Sequence, residues 1–173
     1  MKKKGSRWKM AKNILVISDN HGNISNLNIV LEEFKGQFDV MVHCGDSEFA
    51  ADEVRGLVDC PVYLAEGNCD YDFTADREDL FEFEGHVCLV THGHHCGVNW
   101  GEDELVEHAQ EMGADIVFYG HTHCPAYHIY EEEGVTVFNP GSIALPRQNP
   151  PCPTFLVLEF CEDGEIKPHF YSL

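Results

Sequence analysis

Short apolar runs, each closing in a polar loop, set the pattern of the first two thirds of the chain. The run NILVIS at 13–18 is rich in β-branched residues and ends in DNHGN, which predicts a buried strand feeding a loop. Ile24, Leu27, Val30, Leu31 and Phe34 then recur at helical spacing behind Asn23, whose side chain can cap the first turn. The alternation continues with a strand at 39–44 ending in GDSE, a short helix around 50–57 and a strand at 61–66 ending in GNCD. A strand at 86–92 runs into GHHCG, a helix follows at 102–112, and a strand at 115–120 runs into HTHC. From 126 onward AYHIYEEEG, VTVFNPGS, TFLVLEFCEDG and IKPHFYS, with turn residues between them, predict hairpins or a meander. Parallel βαβ units followed by a strand-rich end point to one α/β domain over 11–173, built of packed sheets flanked by helices, with the strand order left open.

Charge narrows the range of partners. The net charge is −19, yet Lys2, Lys3, Lys4, Arg7 and Lys9 supply five of the eleven basic residues before the first strand. From residue 10 onward six Lys and Arg face thirty Asp and Glu, a balance of −24. Such a surface repels polyphosphate and attracts cations, so long nucleic acid is not an expected partner. The basic stretch over 1–10 precedes no apolar region or small-residue cleavage site, and so reads as a disordered leader rather than a signal peptide. No apolar run approaches the roughly 18–20 residues of a membrane span. Eight cysteines occur without a CxxC pair, several inside apolar runs, so they are expected to be reduced, buried thiols of a cytoplasmic protein. Oligomeric state is left open, a homo-oligomer included.

The loop residues carry the chemistry. Asp19-x-His21, Asp46, Asn68, His92 and His121-x-His123 each follow a predicted strand, and in an α/β sheet the carboxyl edge is where sites are built. Taken singly, most of these are ordinary turn residues. Together, five loops each offer a metal-capable side chain at a strand end. Seven such groups exceed the three or four that one catalytic ion needs, and suit two ions sharing a bridging carboxylate at about 3.5–4 Å. A set of oxygen and nitrogen donors without thiolate favours Mn2+, Fe, Ni2+, Co2+ or Zn2+ over a pure Mg2+ or Ca2+ cage, with Mn2+ the first expectation.

The order D-x-H, GD, GN-x-D, H, GHTH resembles the calcineurin-like metallophosphoesterase superfamily, and SDNHGN, GNCD, THGH, GHTH and NPGS look like its small YfcE-type phosphodiesterases. The resemblance implies a four-layer αββα sandwich of two mixed sheets. It also implies a dinuclear centre with Asp19, His21 and His123 on one ion, Asn68, His92 and His121 on the other, and Asp46 between them. The implied activity is hydrolysis of small phosphodiesters by a metal-bound hydroxide, in which Asn68 also donates to a phosphate oxygen and His94 lies beside the metals or touches substrate. Arg147 is a second candidate for the phosphate, with a surface role as its alternative. His95 and Cys96 are expected to pack or face solvent, Asn139 in NPGS to support the site without a ligand bond, and His43, His86, His108, His128 and His169 to be structural.

Two other readings remain. The retromer subunit of this fold is similar to a metallophosphoesterase yet works as a protein-binding scaffold, but it departs from the motif at ligand positions and this chain does not. A phosphomonoesterase is the other. Cys69 bears on that choice, because much of the superfamily has histidine there, resembling a general acid for the leaving oxygen. The resemblance therefore implies an enzyme without its usual acid, biased toward diesters with good leaving groups.

Overall fold

The computed structural model describes residues 11–71 and 74–173. The basic leader expected over 1–10 lies outside them. Ten strands form two five-stranded mixed sheets that pack face to face. The first sheet contains β1 (Lys12–Ile17), β2 (Val40–His43), β3 (Val62–Leu64), β9 (Thr154–Phe160) and β10 (Ile166–Ser172), in the order β10-β9-β1-β2-β3. β1, β2 and β3 run parallel, and β9 and β10 continue the sheet antiparallel. The second sheet contains β4 (Glu78–Phe83), β5 (His86–Thr91), β6 (Ile116–Phe118), β7 (Pro125–Tyr130) and β8 (Val135–Pro140), in the order β4-β5-β6-β8-β7. Its three central strands are parallel and its two edges antiparallel.

Side-chain alternation explains the layers. Ile14, Val16, Val40 and Val42 of the first sheet meet Phe81, Cys88, Val90, Ile116, Phe118 and Phe138 of the second in the central core. The residues between them point the other way: Leu15, Ile17, Met41 and Val157 cover α1 (Ile24–Glu33) and α2 (Ala51–Arg55), through Leu27, Val30 and Val54. On the far face Leu89, Val117 and Val137 meet Leu105, Val106 and Ala109 of α3 (Asp103–Met112). Central strands buried on both faces read as continuous apolar runs, which is why they were legible. Asn23 caps α1 as expected, its side chain accepting from the backbone N–H of Ser25 at 3.1 Å and of Asn26 at 3.3 Å.

One strand was missed. In EDLFEF only Phe81 and Phe83 turn toward the core, the remainder is largely charged, and the strand lies at a sheet edge where one face is wet. The predicted strands also end too late. β1 and β2 stop one residue, and β3 and β6 two residues, before the polar loops, and left-handed conformations at Asp19, Gly45 and His121 end the pairing after β1, β2 and β6. All eight cysteines are free, with Cys44 and Cys88 buried. No helix among the described residues is long and apolar enough to cross a membrane.

Phe138 is 1% exposed at the centre of the interface between the sheets, whereas Ile129 on the edge strand β7 is 58% exposed. Phe138→Ala should therefore cost about 3–5 kcal/mol in urea unfolding, and Ile129→Ala no more than about 0.5 kcal/mol.

Candidate metal centre

The loops after β1, β2, β3, β5 and β6 converge at one end of the sandwich, bringing residues of both sheets together. Backbone hydrogen bonds bind the loops before any side chain does so. Asp19 N–H donates to Gly45 O at 3.1 Å, His21 N–H to Asp46 O at 3.0 Å and Gly120 N–H to His92 O at 3.2 Å. Asp19, His21, Asp46, His121 and His123 all hold positive φ, between 43° and 67°. Among the described residues only Glu48 and Glu84 otherwise do so without being glycine, and Glu48 contacts His21. Each such residue costs on the order of 1–3 kcal/mol, so the concentration of strain marks these loops as built for something other than stability.

Two glycines of the motifs are dictated by crowding. A Cβ on Gly67 would lie 2.1 Å from Asp46 Oδ1, and one on Gly120 would lie 2.1 Å from Ser18 Oγ and 2.8 Å from Asp19 Oδ2. The G of GN and the G of GH therefore let backbone pass directly over a carboxylate.

The seven residues singled out from the sequence form two adjoining groups. In the first, ligand atoms of Asp19, His21, Asp46 and His123 all lie within 4.8 Å of one another. His123 Nε2 is 3.1 Å from Asp19 Oδ1 and 3.3 Å from His21 Nε2. In the second, His92 Nε2 is 3.1 Å from Asn68 Oδ1, 3.3 Å from His121 Nδ1 and 3.4 Å from Asp46 Oδ2. Asp46 touches both groups, its Oδ2 lying 3.7 Å from His21 Nε2.

The tautomers show what these groups lack. His123 Nδ1–H donates to Leu145 O at 2.6 Å, His92 Nδ1–H to Cys44 O at 2.7 Å and His21 Nδ1–H to Glu48 Oε1 at 2.9 Å. The opposite nitrogen of each neutral ring is then a lone pair turned inward. Lone pairs of His21 and His123 face each other, and the fully buried Asp19 Oδ1 has no hydrogen-bond partner among the described residues. In the first group acceptors converge without a donor, which is complementary to a cation. The donor set fits two divalent ions, one in each group, with Asp46 within reach of both.

Electrostatics in the metal-free chain follow the same geometry. Burial pushes the Asp46 carboxyl up, but the His92 ring and the N–H and thiol of Cys69 outweigh it and hold it well below the carboxylate range. Asp19 is also lowered, His123, His92 and Ser18 overcoming the penalty of burial. Burial lowers His92, but Asp46 and Asp19 overcome it and its pKa is raised. His121 is lowered by burial and by the neighbouring His92.

Around the seven stand residues with other tasks. His94 has its ring centroid 5.3 Å from that of His92 and 6.0 Å from that of His121, and its buried Nδ1 has no partner among the described residues. Burial and the three neighbouring rings push it down to about 4. The His95 ring lies tilted against it, centroids 3.8 Å apart, and faces solvent, while Cys96 packs against the α3 core. Asn139 bonds Gly120 O at 2.9 Å and Thr122 Oγ1 at 3.0 Å, supporting the GHTH loop from behind. Arg147 N–H donates to His123 O at 3.1 Å, with its side chain exposed at the rim.

Cys69 N–H donates to Asp46 Oδ1 at 2.7 Å and Cys69 Sγ accepts from Asn68 Nδ2 at 3.3 Å. Burial and the carboxylates of Asp46, Glu48 and Asp70 push its thiol up to about 11. Two cations in place would reverse the sign of that field.

Sequence reasoning passed over several supporting residues. Asp70, the last letter of GNCD, accepts from the backbone N–H groups of Glu48 at 2.7 Å, Gly67 at 2.8 Å and Asp46 at 2.9 Å, and so fixes two ligand loops. Its place in the motif was the signal. Glu48, which orients His21, and Asn99, whose amide lies 2.9 Å from His121 Nε2, had none. His43 is structural as expected, and it holds the first two loops: Nε2–H donates to Asn20 Oδ1 at 2.9 Å and Nδ1 accepts from Gly45 N–H at 3.2 Å.

Comparison with known proteins agrees with this geometry. Residues 13–163 match the model of the calcineurin-like phosphoesterase superfamily domain, and the chain belongs to that superfamily. It is 36% identical over 135 residues to a probable metallophosphoesterase, YsnB of Bacillus subtilis, covering 78% of this chain and 77% of that one. A phosphodiesterase of Methanocaldococcus jannaschii is 29% identical over 145 residues, covering 73% of this chain and 81% of that protein. Among solved structures, a conserved protein of Streptococcus pneumoniae TIGR4 described as a predicted phosphoesterase superposes with a TM-score of 0.78 at 27% identity, covering 94% of this chain and 98% of that one. The α/β fold of two mixed sheets with few helices is thus that of metallophosphoesterases.

Burial pushes the His43 pKa down to about 4 from 6.5. The unfolded chain therefore binds the extra proton first, so the contribution of neutral His43 is present above about pH 6.5 and lost as pH falls toward 4. In metal-free protein, wild type should lose up to about 3 kcal/mol across that window through this group. Denaturant midpoints of His43→Gln should fall less steeply with acidification over the same range.

Proposed function

We propose that the protein hydrolyses small phosphodiesters using two divalent ions, with Asp19, His21 and His123 holding one, Asn68, His92 and His121 the other, and Asp46 bridging. The observation that carries the reading is the convergence of inward lone pairs and the unpartnered Asp19 Oδ1 on two groups that share Asp46. Bound there, a pair of divalent cations, Mn2+ by first preference, would supply activation of a water for attack on phosphorus and neutralisation of the phosphate oxygens.

The chain's own residues do the rest. The carbonyl and carboxylate contacts of His21, His92 and His123 occupy Nδ1 of each ring and leave Nε2 facing inward. The Asn68 amide places its oxygen toward His92 and its nitrogen toward the cleft side at Cys69, from where it can donate to a phosphate oxygen. His94, whose ring lies beside those of His92 and His121 and lines the adjoining cavity, is placed to face a bound phosphoryl group. The protein surface, at −24 from residue 10 onward, favours a compact substrate over a polymer.

Cys69 stands where much of the superfamily has a proton-donating histidine. A thiol is a weak hydrogen-bond donor, and this one is short and turned toward Asn68 and Asp46. Diesters with good leaving groups are therefore the expected substrates, and alkyl monoesters poor ones.

On bis(p-nitrophenyl) phosphate with Mn2+, Asp46→Asn should lower turnover by about 100-fold or more, with Mn2+ affinity in calorimetry falling in parallel. Full activity in that variant sinks the mechanism, and no turnover by wild type with Mn2+, Ni2+ or Co2+ supports a scaffold instead. Cys69→His should raise turnover of diesters with alkyl leaving groups by about 10-fold or more while leaving p-nitrophenyl diesters within about 2-fold. Equal effects on both would refute the missing-acid account.

A further inference from the structure

Beside the metal centre, on the side of Asn68 and His94, lies a cavity of about 570 Å³. That is within the range of about 300–1,000 Å³ typical of small-ligand sites. Besides those two residues it is lined by Glu66, Tyr71, Arg77 and His95. Three features of this lining are unusual for this chain.

Arg77 is one of six basic residues from residue 10 onward, among thirty acids. Lys12, Arg55 and Lys167 each pair with a carboxylate, Asp39, Asp52 and Glu165 respectively. Arg77 makes no ion pair among the described residues, nor do Lys35 and Arg147. A guanidinium left uncommitted on so acidic a surface, and facing the cleft that holds Asn68, is a reader of anions. Tyr71 is 78% exposed, an aromatic face at the same cleft with no ring stacked on it among the described residues. Glu66 contributes a carboxylate that makes no ion pair with Arg77, and so remains an acceptor for hydroxyl groups.

An aromatic face, a hydroxyl acceptor and a guanidinium around one cavity match the ring, sugar and phosphate of a nucleotide. Taking the site as a phosphodiesterase centre, we infer that this cavity binds one ester arm of the substrate, and that this arm is a nucleotide carrying a second phosphate. The ring lies on Tyr71, a sugar hydroxyl meets Glu66 and the second phosphate meets Arg77. With only one such guanidinium in the cavity, the recognised unit is a single terminal nucleotide rather than a continuing strand.

The test compares diuridine phosphodiesters, whose ribose keeps a free 2′-hydroxyl, with and without a terminal phosphate on the metal-loaded protein. Wild type should prefer the phosphorylated form by about 10-fold in kcat/KM, and Arg77→Gln should bring that ratio close to one. Lys35→Gln, which removes an unpaired charge elsewhere on the surface, should keep the preference. Tyr71→Ala should lower kcat/KM for both dinucleotides and Tyr71→Phe restore it. Calorimetric affinity for uridine 3′,5′-bisphosphate should fall in Arg77→Gln by a factor similar to the lost preference. Absence of a preference in wild type, or an equal loss on both substrates in Arg77→Gln, overturns the inference while turnover of bis(p-nitrophenyl) phosphate leaves the phosphodiesterase reading intact. Should no diester turn over, the calorimetry decides alone: Arg77-dependent binding of the bisphosphate upholds the subsite, and its absence overturns it.

Discussion

Asp46 is the group on which the rest of the site depends. Its carboxylate accepts the Cys69 N–H, lies against His92 from the opposite sheet, and comes within 3.7 Å of His21, so the two halves of the centre share one side chain. Everything around it serves to keep that carboxylate ionised and fixed. Asp70 holds the Asp46 backbone, Gly67 leaves room for Oδ1, and a positive φ of 53° turns the side chain back over the sheet ends. A negative group so placed is tolerable only because the surrounding imidazoles supply compensating dipoles, and only a cation satisfies all of them together.

The site therefore depends on the docking of two sheets. His92 from β5 donates to Cys44 O after β2, His121 N–H after β6 donates to Asp19 Oδ2 after β1, and Gly120 lies against Ser18. The large aromatic residues Phe118 and Phe138 beneath this end keep the spacing. Packing in a core of this kind is dense and yields little, so the strain of five of the seven candidate residues in left-handed conformations is absorbed by the interface rather than released.

Beyond the ligands, the acidic body and the placement of its few bases shape selectivity. Half of the six basic residues from residue 10 onward are spent on local ion pairs, and two of the three that make no ion pair among the described residues, Arg77 and Arg147, stand at the two sides of the centre.

The strands, the helix α1 with its Asn23 cap, and the seven ligand candidates were legible because they depend on local pattern: apolar periodicity, a cap, and polar residues at strand ends. β4 was not, since its two inward phenylalanines carry too little signal among charged neighbours at an edge. Asp70 was visible as a letter of a motif but not as the clamp on two loops, and Glu48, Asn99 and the Tyr71–Arg77 cavity left no trace in the sequence. Their roles arise from contacts between residues distant along the chain. The sequence by itself determined which side chains could bind cations and at which strand ends they sit. Only the tertiary structure decided which lone pairs face one another, which carboxylate joins the two groups and which arginine remains free, because orientation and pairing are settled when the two sheets close on each other.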